Sequence, residues 1–350
     1  MEHVSQLPST LPLLALAAAA VISPLAASAT VHFAIPPLID RLRRTGSTVV
    51  DVLKPDGGMV PRPAGPVLTA GFMVAGAVAY AAFQSVEILA VMLTALSCFV
   101  VGYVDDKRVM GGWFKPVALA AAAAPILLLG AYDSNLSFPL FGDTRIPILY
   151  LALAPLMICI TGNTANSIDV MNGLLSGFMA ITGAALTAAL VILQNYEMAV
   201  VSLSLVAVSA AYYRYHRIPC RIFPGDSGAL MLGGAYGAIA ICGGVEIVAA
   251  VAMLPAIINS FLFLASVKRI VEHRQVAKKS TVVTDDFRIK CSGVKGASIS
   301  LVGLIAGPVP HTEAQVVSAV FKLAVISSGL AVLTALMMTW SIGSGWWPQA

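Results

Sequence analysis

Two adjacent carboxylates, Asp105 and Asp106, stand at the end of an apolar run that carries no other charge after Glu87. Neighbouring acids repel each other and resist burial at a membrane boundary, so this pair needs a compensating partner. A divalent cation would supply one, and so would a group that must lose a proton to act. The structural alternative is a solvated helix end neutralised by Lys107 and Arg108. A motif this short does not decide between them.

Polar residues recur at every third position of a second stretch that is otherwise apolar, and we call them the amide stripe: Asn163, Asn166, Asp169 and Asn172. On a helix, residues at this spacing share one face. Three amides and a carboxylate could read a nucleobase, a sugar amide or a hydrated metal ion. Polar contacts between membrane helices are the structural alternative. An ionisable residue such as Asp169 is costly at that depth, which favours the functional interpretation.

A further acid, Asp226, lies in the segment Phe223–Gly228, immediately before a helix rich in small residues. It could be a simple N-cap. It could equally be a magnesium ligand, because Mg²⁺ sites use one or two carboxylates together with waters and substrate phosphates. The N-terminal amides of the following helix would favour an anion at the same place.

Basic side chains that could hold phosphates lie in the remaining polar segments. Lys54 belongs to a stretch dense in Pro and Gly, residues 51–65, where backbone N–H groups and a point charge would suit a phosphate. A plain turn that contains a lysine is the alternative. His273, Arg274 and His311 lie late in the chain and could grip a pyrophosphate. A zinc site is not expected, because no ligands have compact spacing.

The composition places these residues in an integral membrane protein. The 350-residue chain is 58% hydrophobic and only 11% charged, whereas a soluble domain carries about 25% charged residues. Apolar blocks of about 20 residues between short polar loops predict an all-α, polytopic bundle rather than a β-barrel. Ten transmembrane helices are predicted, near residues 12–39, 66–84, 87–104, 116–132, 147–162, 173–194, 198–213, 228–243, 246–267 and 316–340.

The positive charges give the bundle an orientation. Of the 21 Lys and Arg residues, all but Arg145 fall on the face reached after odd-numbered spans. The positive-inside rule therefore makes those loops cytoplasmic and puts both termini outside. It brings these acids and bases to the same cytoplasmic face: Asp105, Asp106, Asp169, Asp226, Lys54, Lys115, His273 and Arg274. A single site that handles Mg²⁺ and a phosphorylated substrate accounts for all of them.

The rest of the chain predicts no second functional unit. We expect one membrane-embedded domain over residues 1–350, with a small cytoplasmic subdomain in the loop 268–315. The five cysteines form no C-x-x-C pair and are expected to be reduced and structural. No nucleic-acid partner is expected.

Three motifs resemble those of the polyprenyl-phosphate N-acetylhexosamine-1-phosphate transferases, a family of the glycosyltransferase family 4 type. They are G-x-x-D-D at Gly102–Asp106, N-x-x-N-x-x-D-x-x-N/D-G-L at Asn163–Leu174 and F-x-G-D-x-G at Phe223–Gly228. The similarity runs from about Asp51 to the last span. The chain is most similar to the branch that transfers GlcNAc 1-phosphate to dolichyl or polyprenyl phosphate.

The resemblance implies how the charged groups would act. Asp226 would bind Mg²⁺, or Mn²⁺ in its place, with Asp105 and Asp106 near the metal or deprotonating the lipid phosphate. Lys54 and Lys115 would contact phosphates. The three acids and Lys115 would form the catalytic group.

The same resemblance implies how the substrate would be held. The amide stripe would order the nucleotide-sugar pocket, and His273 and Arg274 would hold the pyrophosphate. His311 stands near the position of the bacterial translocase's histidine run, but it is a single histidine. Two residues depart from the pattern: His216 stands where relatives often carry asparagine, and Leu175 replaces a glutamate of the eukaryotic branch. Asp169 looks bacterial and Asn172 looks eukaryotic, a mixture that would suit an archaeal enzyme.

The resemblance predicts a Mg²⁺-dependent phosphoglycosyl transferase of the cell membrane, multi-pass, with cytoplasmic catalytic loops. Its partners would be a UDP-sugar donor, a polyprenyl or dolichyl phosphate acceptor, membrane lipids and a second copy in a homodimer. UDP-GlcNAc is the expected donor, with UDP-MurNAc-pentapeptide and UDP-GalNAc as alternatives. An ion-coupled transporter is the alternative from another class, and it predicts acids near the bilayer midplane and internal repeats.

Overall fold

The computed structural model describes residues 11–54, 57–108, 110–111, 113–267 and 278–343. Within these ranges the chain is a bundle of helices with three antiparallel two-stranded hairpins. The helices are α1 (Leu11–Arg44), α2 (Gly65–Phe83), α3 (Val86–Lys107), α4 (Phe114–Ala121), α5 (Ala124–Leu129), α6 (Pro147–Ile168), α7 (Leu174–Ile192), α8 (Tyr196–His216), α9 (Gly225–Gly243), α10 (Glu246–Ala252), α11 (Leu254–Val267), α12 (Leu301–Ala306) and α13 (Glu313–Gly343). The strands are β1 (Thr48–Val50), β2 (Met59–Pro61), β3 (Asn135–Phe138), β4 (Gly142–Arg145), β5 (Thr281–Val283) and β6 (Ile289–Cys291).

Seven of the described helices are long and apolar enough to cross a membrane, namely α1, α2, α3, α6, α7, α8 and α13. The bent pair α10–α11 would make an eighth. The prediction of an all-α, multi-pass membrane protein is therefore confirmed. Each of the ten predicted spans corresponds to a helix or a pair of helices. Ten crossings and outside termini stay predictions.

Two of the predicted spans are broken into shorter helices. The break between α4 and α5 comes just before Pro125, and the break between α10 and α11 comes just before Pro255, with a bend of 72°. A proline lacks the N–H that a helix needs, and its ring clashes with the preceding turn. At these two positions the helix ends and a new one begins, although α1 and α6 continue through their internal prolines. At α10–α11 the bend turns the second half toward α6, which it contacts.

The ends of the helices define two faces of the bundle. At the first, which we call the site face, α3, α6 and α8 end where α4, α9 and α13 begin. At the opposite face the start of α6 meets the start of α10, where the Tyr150 hydroxyl donates a hydrogen bond to Glu246. The described part of the predicted loop subdomain contains β5, β6 and α12, and the backbone N–H of Cys291 in β6 donates a hydrogen bond to the carbonyl oxygen of Gly307, the residue that follows α12.

The central element is α9, whose residues 225–241 are all buried. It packs against α3 on one side and α6 on the other. A Cβ on Gly233 would lie 2.4 Å from the backbone oxygen of Thr161 in α6, and one on Gly234 would lie 2.3 Å from Cys98 Sγ in α3. Small residues allow membrane helices to approach this closely. The packing holds the first turn of α9 between two other helix ends.

Candidate active site

The close approach of α3 to the start of α9 depends on two glycines. A Cβ at Gly102 would lie 2.5 Å from the backbone oxygen of Asp226. Gly225 has a φ of +72°, which is unfavourable for residues with a Cβ, and a Cβ there would lie 2.7 Å from a carboxylate oxygen of Asp106. Two of the sequence motifs therefore contain glycine at the point where two backbones touch.

Asp106, in the last turn of α3, caps the N-terminus of the neighbouring helix α9. Its Oδ1 accepts a hydrogen bond from the backbone N–H of Asp226 at 2.9 Å, and its Oδ2 accepts bonds from the N–H and hydroxyl of Ser227 at 3.0 and 2.6 Å. Helix N-termini leave N–H groups unpaired and favour negative charge, so a carboxylate there is stabilised. The N-cap role considered for Asp226 is therefore wrong, because Asp226 lies within the first turn and Asp106 does the capping.

Lys115, at the start of α4, lies between two of the acids. Its Nζ is 3.0 Å from Asp105 Oδ2 and 3.4 Å from Asp226 Oδ1. Asp105 also accepts a hydrogen bond from the backbone N–H of Met110 at 2.7 Å. Asp105 and Lys115 are buried, at 1% and 4% exposure. The alternative of a solvated helix end is wrong for Asp105, because the side chain turns inward to Lys115.

A second cation, Arg62, joins the remaining pair of carboxylates. Its Nη2 donates hydrogen bonds to Asp106 Oδ1 and to Asp226 Oδ2, both at 3.0 Å. Arg62 lies in the connection between β2 and α2, and its side chain is 29% exposed, against 4% and 9% for the two acids. From the sequence, this arginine was predicted only as one of the positive charges of the cytoplasmic loops and not as a site residue.

A cavity of about 820 Å³ opens beside these ion pairs. Its polar lining includes Arg62, Lys115, Asp226 and all four residues of the amide stripe. Its apolar lining comes largely from α6 and α11, through Leu156, Ile160, Ile257, Phe261 and Leu264. The cavity therefore joins a charged end to an apolar end.

The amide stripe is only partly helical. Asn163 and Asn166 lie on α6, but the helix ends before Asp169, so Asp169 and Asn172 lie in the turn that leads to α7. Gly173 closes that turn with a φ of +82°. The prediction of a single helical face is therefore wrong beyond Asn166. The prediction that the four side chains share a site agrees with their common place in the cavity lining.

Asp169 faces the cavity with 16% of its side chain exposed. Burial raises the pKa of its carboxyl from 3.8 to about 8, with nearby acids adding to the rise and Arg62 opposing it. At pH 7 the group is therefore largely protonated and can donate a hydrogen bond. Its Oδ1 lies 3.6 Å from Nε2 of the buried His216, whose Nδ1 lies 2.9 Å from Ser176 Oγ.

Asn172 ties three parts of the chain together. Its backbone N–H donates to Glu313 Oε1 at 2.8 Å, and its side-chain amide donates to Asp51 Oδ2 at 3.0 Å and to Glu313 Oε2 at 3.3 Å. Asp51 comes from the β1–β2 hairpin and Glu313 from the start of α13. Neither acid was singled out from sequence. The bonds hold one wall of the cavity in place.

Two of the predicted site residues, Lys54 and His311, do not line this cavity, and two others cannot be placed relative to it. Lys54 Nζ donates to the carbonyl oxygen of Cys220 at 2.7 Å, and Lys54 is not among the described residues that line the cavity. His311 is also outside that lining, with its Nδ1 2.7 Å from Val309 O. His273 and Arg274 lie outside the described residues.

Part of the chain matches a known protein family. Residues 88–244 match glycosyl transferase family 4. The matched region covers somewhat less than half of the chain.

Similar proteins come from archaea and bacteria. A Saccharolobus solfataricus protein, provisionally named a UDP-N-acetylglucosamine–dolichyl-phosphate N-acetylglucosaminephosphotransferase, is 27% identical over 61% of this chain and 68% of its own length. A Bacillus subtilis protein, provisionally named an undecaprenyl-phosphate N-acetylglucosaminyl 1-phosphate transferase, is 28% identical over 53% and 52%. A Chlorobium luteolum phospho-N-acetylmuramoyl-pentapeptide-transferase is 30% identical over 45% and 52%. The chain thus spans about half to two thirds of the length of these relatives.

The family 4 match runs from α3 to the residue after α9. It contains the three site-face acids, Lys115 and the amide stripe. Arg62, Asp51 and Glu313 lie outside it, although they contact residues inside it. The only local signal for Arg62 was its place between two prolines in the Gly- and Pro-rich loop.

The oxygen donors at the site face suit a magnesium ion. Within the described residues, no three His, Cys, Asp or Glu side chains converge as a metal site. Asp106 Oδ1 and Asp226 Oδ2 do converge, because each lies 3.0 Å from the same nitrogen of Arg62. Carboxylate oxygens are hard ligands, and Mg²⁺ or Mn²⁺ needs only one or two of them with waters and phosphates. Asp226 fits best because it alone of the three acids lines the cavity.

Proposed function

We propose that this protein transfers N-acetylglucosamine 1-phosphate from UDP-GlcNAc to a polyprenyl or dolichyl phosphate, giving a lipid-diphosphate sugar and UMP. The observation that carries the proposal is the cavity itself. One space of about 820 Å³ is lined by Asp226, Lys115 and Arg62 and also by apolar side chains of α6 and α11. A reaction between a charged nucleotide sugar and a phosphate on a long apolar chain needs both linings.

The polar lining suits the donor. Lys115 and Arg62 are cations beside the place where phosphates would lie, and Arg62 can offer a planar fork of N–H donors to them. The amides of Asn163 and Asn166 and the protonated carboxyl of Asp169 provide donors and acceptors for a base or a sugar amide. The names of the similar proteins support a UDP-sugar of this class.

The apolar lining suits the acceptor. Ile160 of α6 and Phe261 of α11 lie in the same cavity wall as the polar groups. The bend between α10 and α11 precedes the stretch of α11 that contributes this wall. A polyprenyl chain lying there would present its phosphate to the charged end.

In the proposed reaction, an oxygen of the lipid phosphate attacks the β-phosphorus of the donor. A bond forms between them as the bond from the β-phosphorus to the bridging oxygen breaks, and UMP leaves with that oxygen. A phosphate monoester has a second pKa near 6, so the attacking group is largely ionised at pH 7 without a base. The residues that act are then cations that hold and neutralise phosphate oxygens, mainly Lys115.

Asp226, with Asp106 beside it, would hold the magnesium ion. When bound, the ion would neutralise charge on the transferring phosphates. Asp105 and Asp106 already accept hydrogen bonds from Met110, Lys115 and the start of α9 and do not line the described cavity. This favours direct attack over an aspartyl intermediate at either acid. The acids lie at one end of the helices, which does not fit the transporter alternative.

The test is transfer of label from UDP-[³H]GlcNAc into organic-extractable lipid by the purified protein with polyprenyl phosphate and Mg²⁺. We expect label in the lipid phase, its loss in EDTA, and a fall of about 100-fold or more in Asp226→Asn. Asp143→Asn, an exposed acid of β4 at the opposite face, is the matched control and should keep full activity.

Other results would correct or overturn the proposal. Label from UDP-MurNAc-pentapeptide or UDP-GalNAc in place of UDP-GlcNAc would keep the reaction and change the donor. The similarity to phospho-N-acetylmuramoyl-pentapeptide-transferases makes the first of these the main competitor. Folded protein that transfers no sugar phosphate from any of the three donors would refute the transferase assignment.

A further inference from the structure

Arg62 occupies the space between two carboxylates that fit a metal ion. A single nitrogen, Nη2, is 3.0 Å from Asp106 Oδ1 and 3.0 Å from Asp226 Oδ2. A small cation shared by these two oxygens would lie within a few ångströms of this nitrogen. Arg62 and such a cation therefore exclude each other, both by volume and by charge.

The two cations of the site differ in how firmly they are held. Lys115 is 6% exposed at its side chain and lies between Asp105 and Asp226. Arg62 is 29% exposed, sits in a connection rather than a helix, and lines the cavity. Within the described residues, the Nε and Nη1 donors of Arg62 have no hydrogen-bond partner. The more exposed guanidinium can leave the acids for the cavity that it lines, whereas Lys115 is almost fully buried between its two partners.

We propose that Arg62 is a built-in counter-ion that competes with a divalent cation for Asp106 and Asp226 and leaves them when an anionic donor draws it into the cavity. The inference rests on the proposed function, since it takes the donor to be a nucleotide diphosphate. The metal and the donor then bind cooperatively, because each favours the arrangement in which Arg62 has left the acids. By linkage, each must raise the affinity of the other by the same factor.

This exchange has a chemical use. Without Arg62, Asp106 and Asp226 would be two buried carboxylates within a few ångströms of each other, compensated only by Lys115 at Asp226 and the start of α9 at Asp106. With Arg62 in place the acids are paired, and with metal and donor bound the guanidinium gains phosphate oxygens, to which it can bond in bidentate fashion. Charge at the acids stays balanced in both arrangements.

The test measures the affinity of the purified protein for Mn²⁺ alone. Binding is detected by electron paramagnetic resonance, in the absence of the lipid acceptor. We expect Arg62→Gln to bind Mn²⁺ at least about tenfold more tightly than the wild type, since a competing charge is removed. Arg62→Lys, which keeps the charge but not the fork, should fall between them. Arg145→Gln, an exposed arginine of β4, is the matched control and should be unchanged.

The second arm adds UDP-GlcNAc at saturation. The wild type should gain Mn²⁺ affinity, and Arg62→Gln should gain clearly less, because the exchange that couples the two ligands is lost. Asp226→Asn should abolish the tight Mn²⁺ signal in both proteins, which ties the signal to this site. Thermal unfolding without metal checks that each variant is folded.

Equal or weaker Mn²⁺ binding by folded Arg62→Gln would overturn the proposal and leave Arg62 as a structural ion pair. A Mn²⁺ signal that survives Asp226→Asn would also overturn it. The first arm uses the metal alone and no turnover, so it does not depend on the donor. A protein that passes that arm but transfers no sugar phosphate would refute the proposed function and keep the metal competition.

Discussion

The three acids at the site face differ because each has different neighbours. Asp106 uses both oxygens to hold the start of α9. Asp105 is buried against Lys115 and the backbone of Met110. Asp226 is the one of the three that reaches the cavity. Identical side chains thus become an anchor for α9, a counter-ion to Lys115 and a candidate ligand, because each carboxylate meets different neighbours.

Lys115→Met should destabilise the protein more than the small change in side-chain volume suggests. Removing one partner of a buried pair leaves an uncompensated charge, which costs about 3–5 kcal/mol. The double variant Asp105→Asn, Lys115→Met should recover part of the loss, because the remaining carboxyl becomes a neutral amide. Thermal unfolding in detergent, arranged as a double-mutant cycle, measures the coupling. Additive effects of the two substitutions would contradict the buried pairing.

Asp169 should make stability depend on pH. Its carboxyl ionises near 3.8 in the unfolded chain and near 8 in the folded protein, so the folded state holds the proton more tightly. Its contribution to stability therefore falls as pH rises from about 4 to about 8 and levels off above that. Asp169→Asn lacks this titration, so its Tm relative to wild type should rise across the same window. Parallel Tm curves for the two proteins would contradict a raised pKa; Asp143→Asn is the control.

Among the elements, α9 decides the geometry of the site. It is buried along almost its whole length, and small residues let α3 and α6 close on it from two sides. The first turn of α9 then lies against the last turn of α3, within reach of Asp106. The site is thus built from helix ends, where backbone N–H groups remain available and side chains can reach across.

Gly102→Ala tests this close approach. The added Cβ would lie 2.5 Å from the backbone of Asp226, so α3 and α9 must separate. Overpacking of this kind costs about 1–3 kcal/mol, and the shift should also weaken Mn²⁺ binding. The matched control is Gly329→Ala in α13, where a Cβ meets open space; it should be neutral or stabilise by up to about 1 kcal/mol. Equal effects of the two substitutions would show that the contact is loose.

At the scale of the whole molecule, the chain gathers its chemistry at one face of the bundle. Parts as distant as Asp51, Asn172 and Glu313 meet there through hydrogen bonds. The β3–β4 hairpin and the Tyr150–Glu246 contact lie at the other end. The distribution of Lys and Arg predicts that the site face is cytoplasmic.

Labelling of cysteines tests that orientation. Cys291 is free and exposed in β6, on the site face. A membrane-impermeant maleimide should label it only after the cells are lysed. Thr144→Cys, placed in β4 in a Cys291→Ser background, should be labelled in intact cells, because that hairpin lies at the opposite face. Labelling of Cys291 in intact cells would reverse the predicted topology.

Much of this protein could be predicted from sequence because it depends on local properties. The apolar length of each segment and the placement of positive charge predict a multi-pass helical bundle, with seven spans now identified by length and composition. The motifs at Gly102, Asn163 and Phe223 predicted a shared site for their polar groups; the amide stripe and Asp226 do line one cavity, together with Lys115, whereas Asp105 and Asp106 lie beside it. The prolines at the two breaks are also visible in the sequence, although each of these spans was predicted as one continuous helix.

Only the tertiary structure decided which charged and polar side chains pair with one another. Arg62 is 44 residues from Asp106 and 164 from Asp226, and Glu313 is 141 residues from Asn172. No periodicity or local motif relates positions so far apart. Hydrophobicity and spacing act along the chain and so determine segments, whereas the partner of a buried carboxylate depends on where folding brings the donors. For that reason the sequence determined the membrane architecture and the set of acids, and the folded structure decided which acid is an anchor, which is a counter-ion and which faces the ligand.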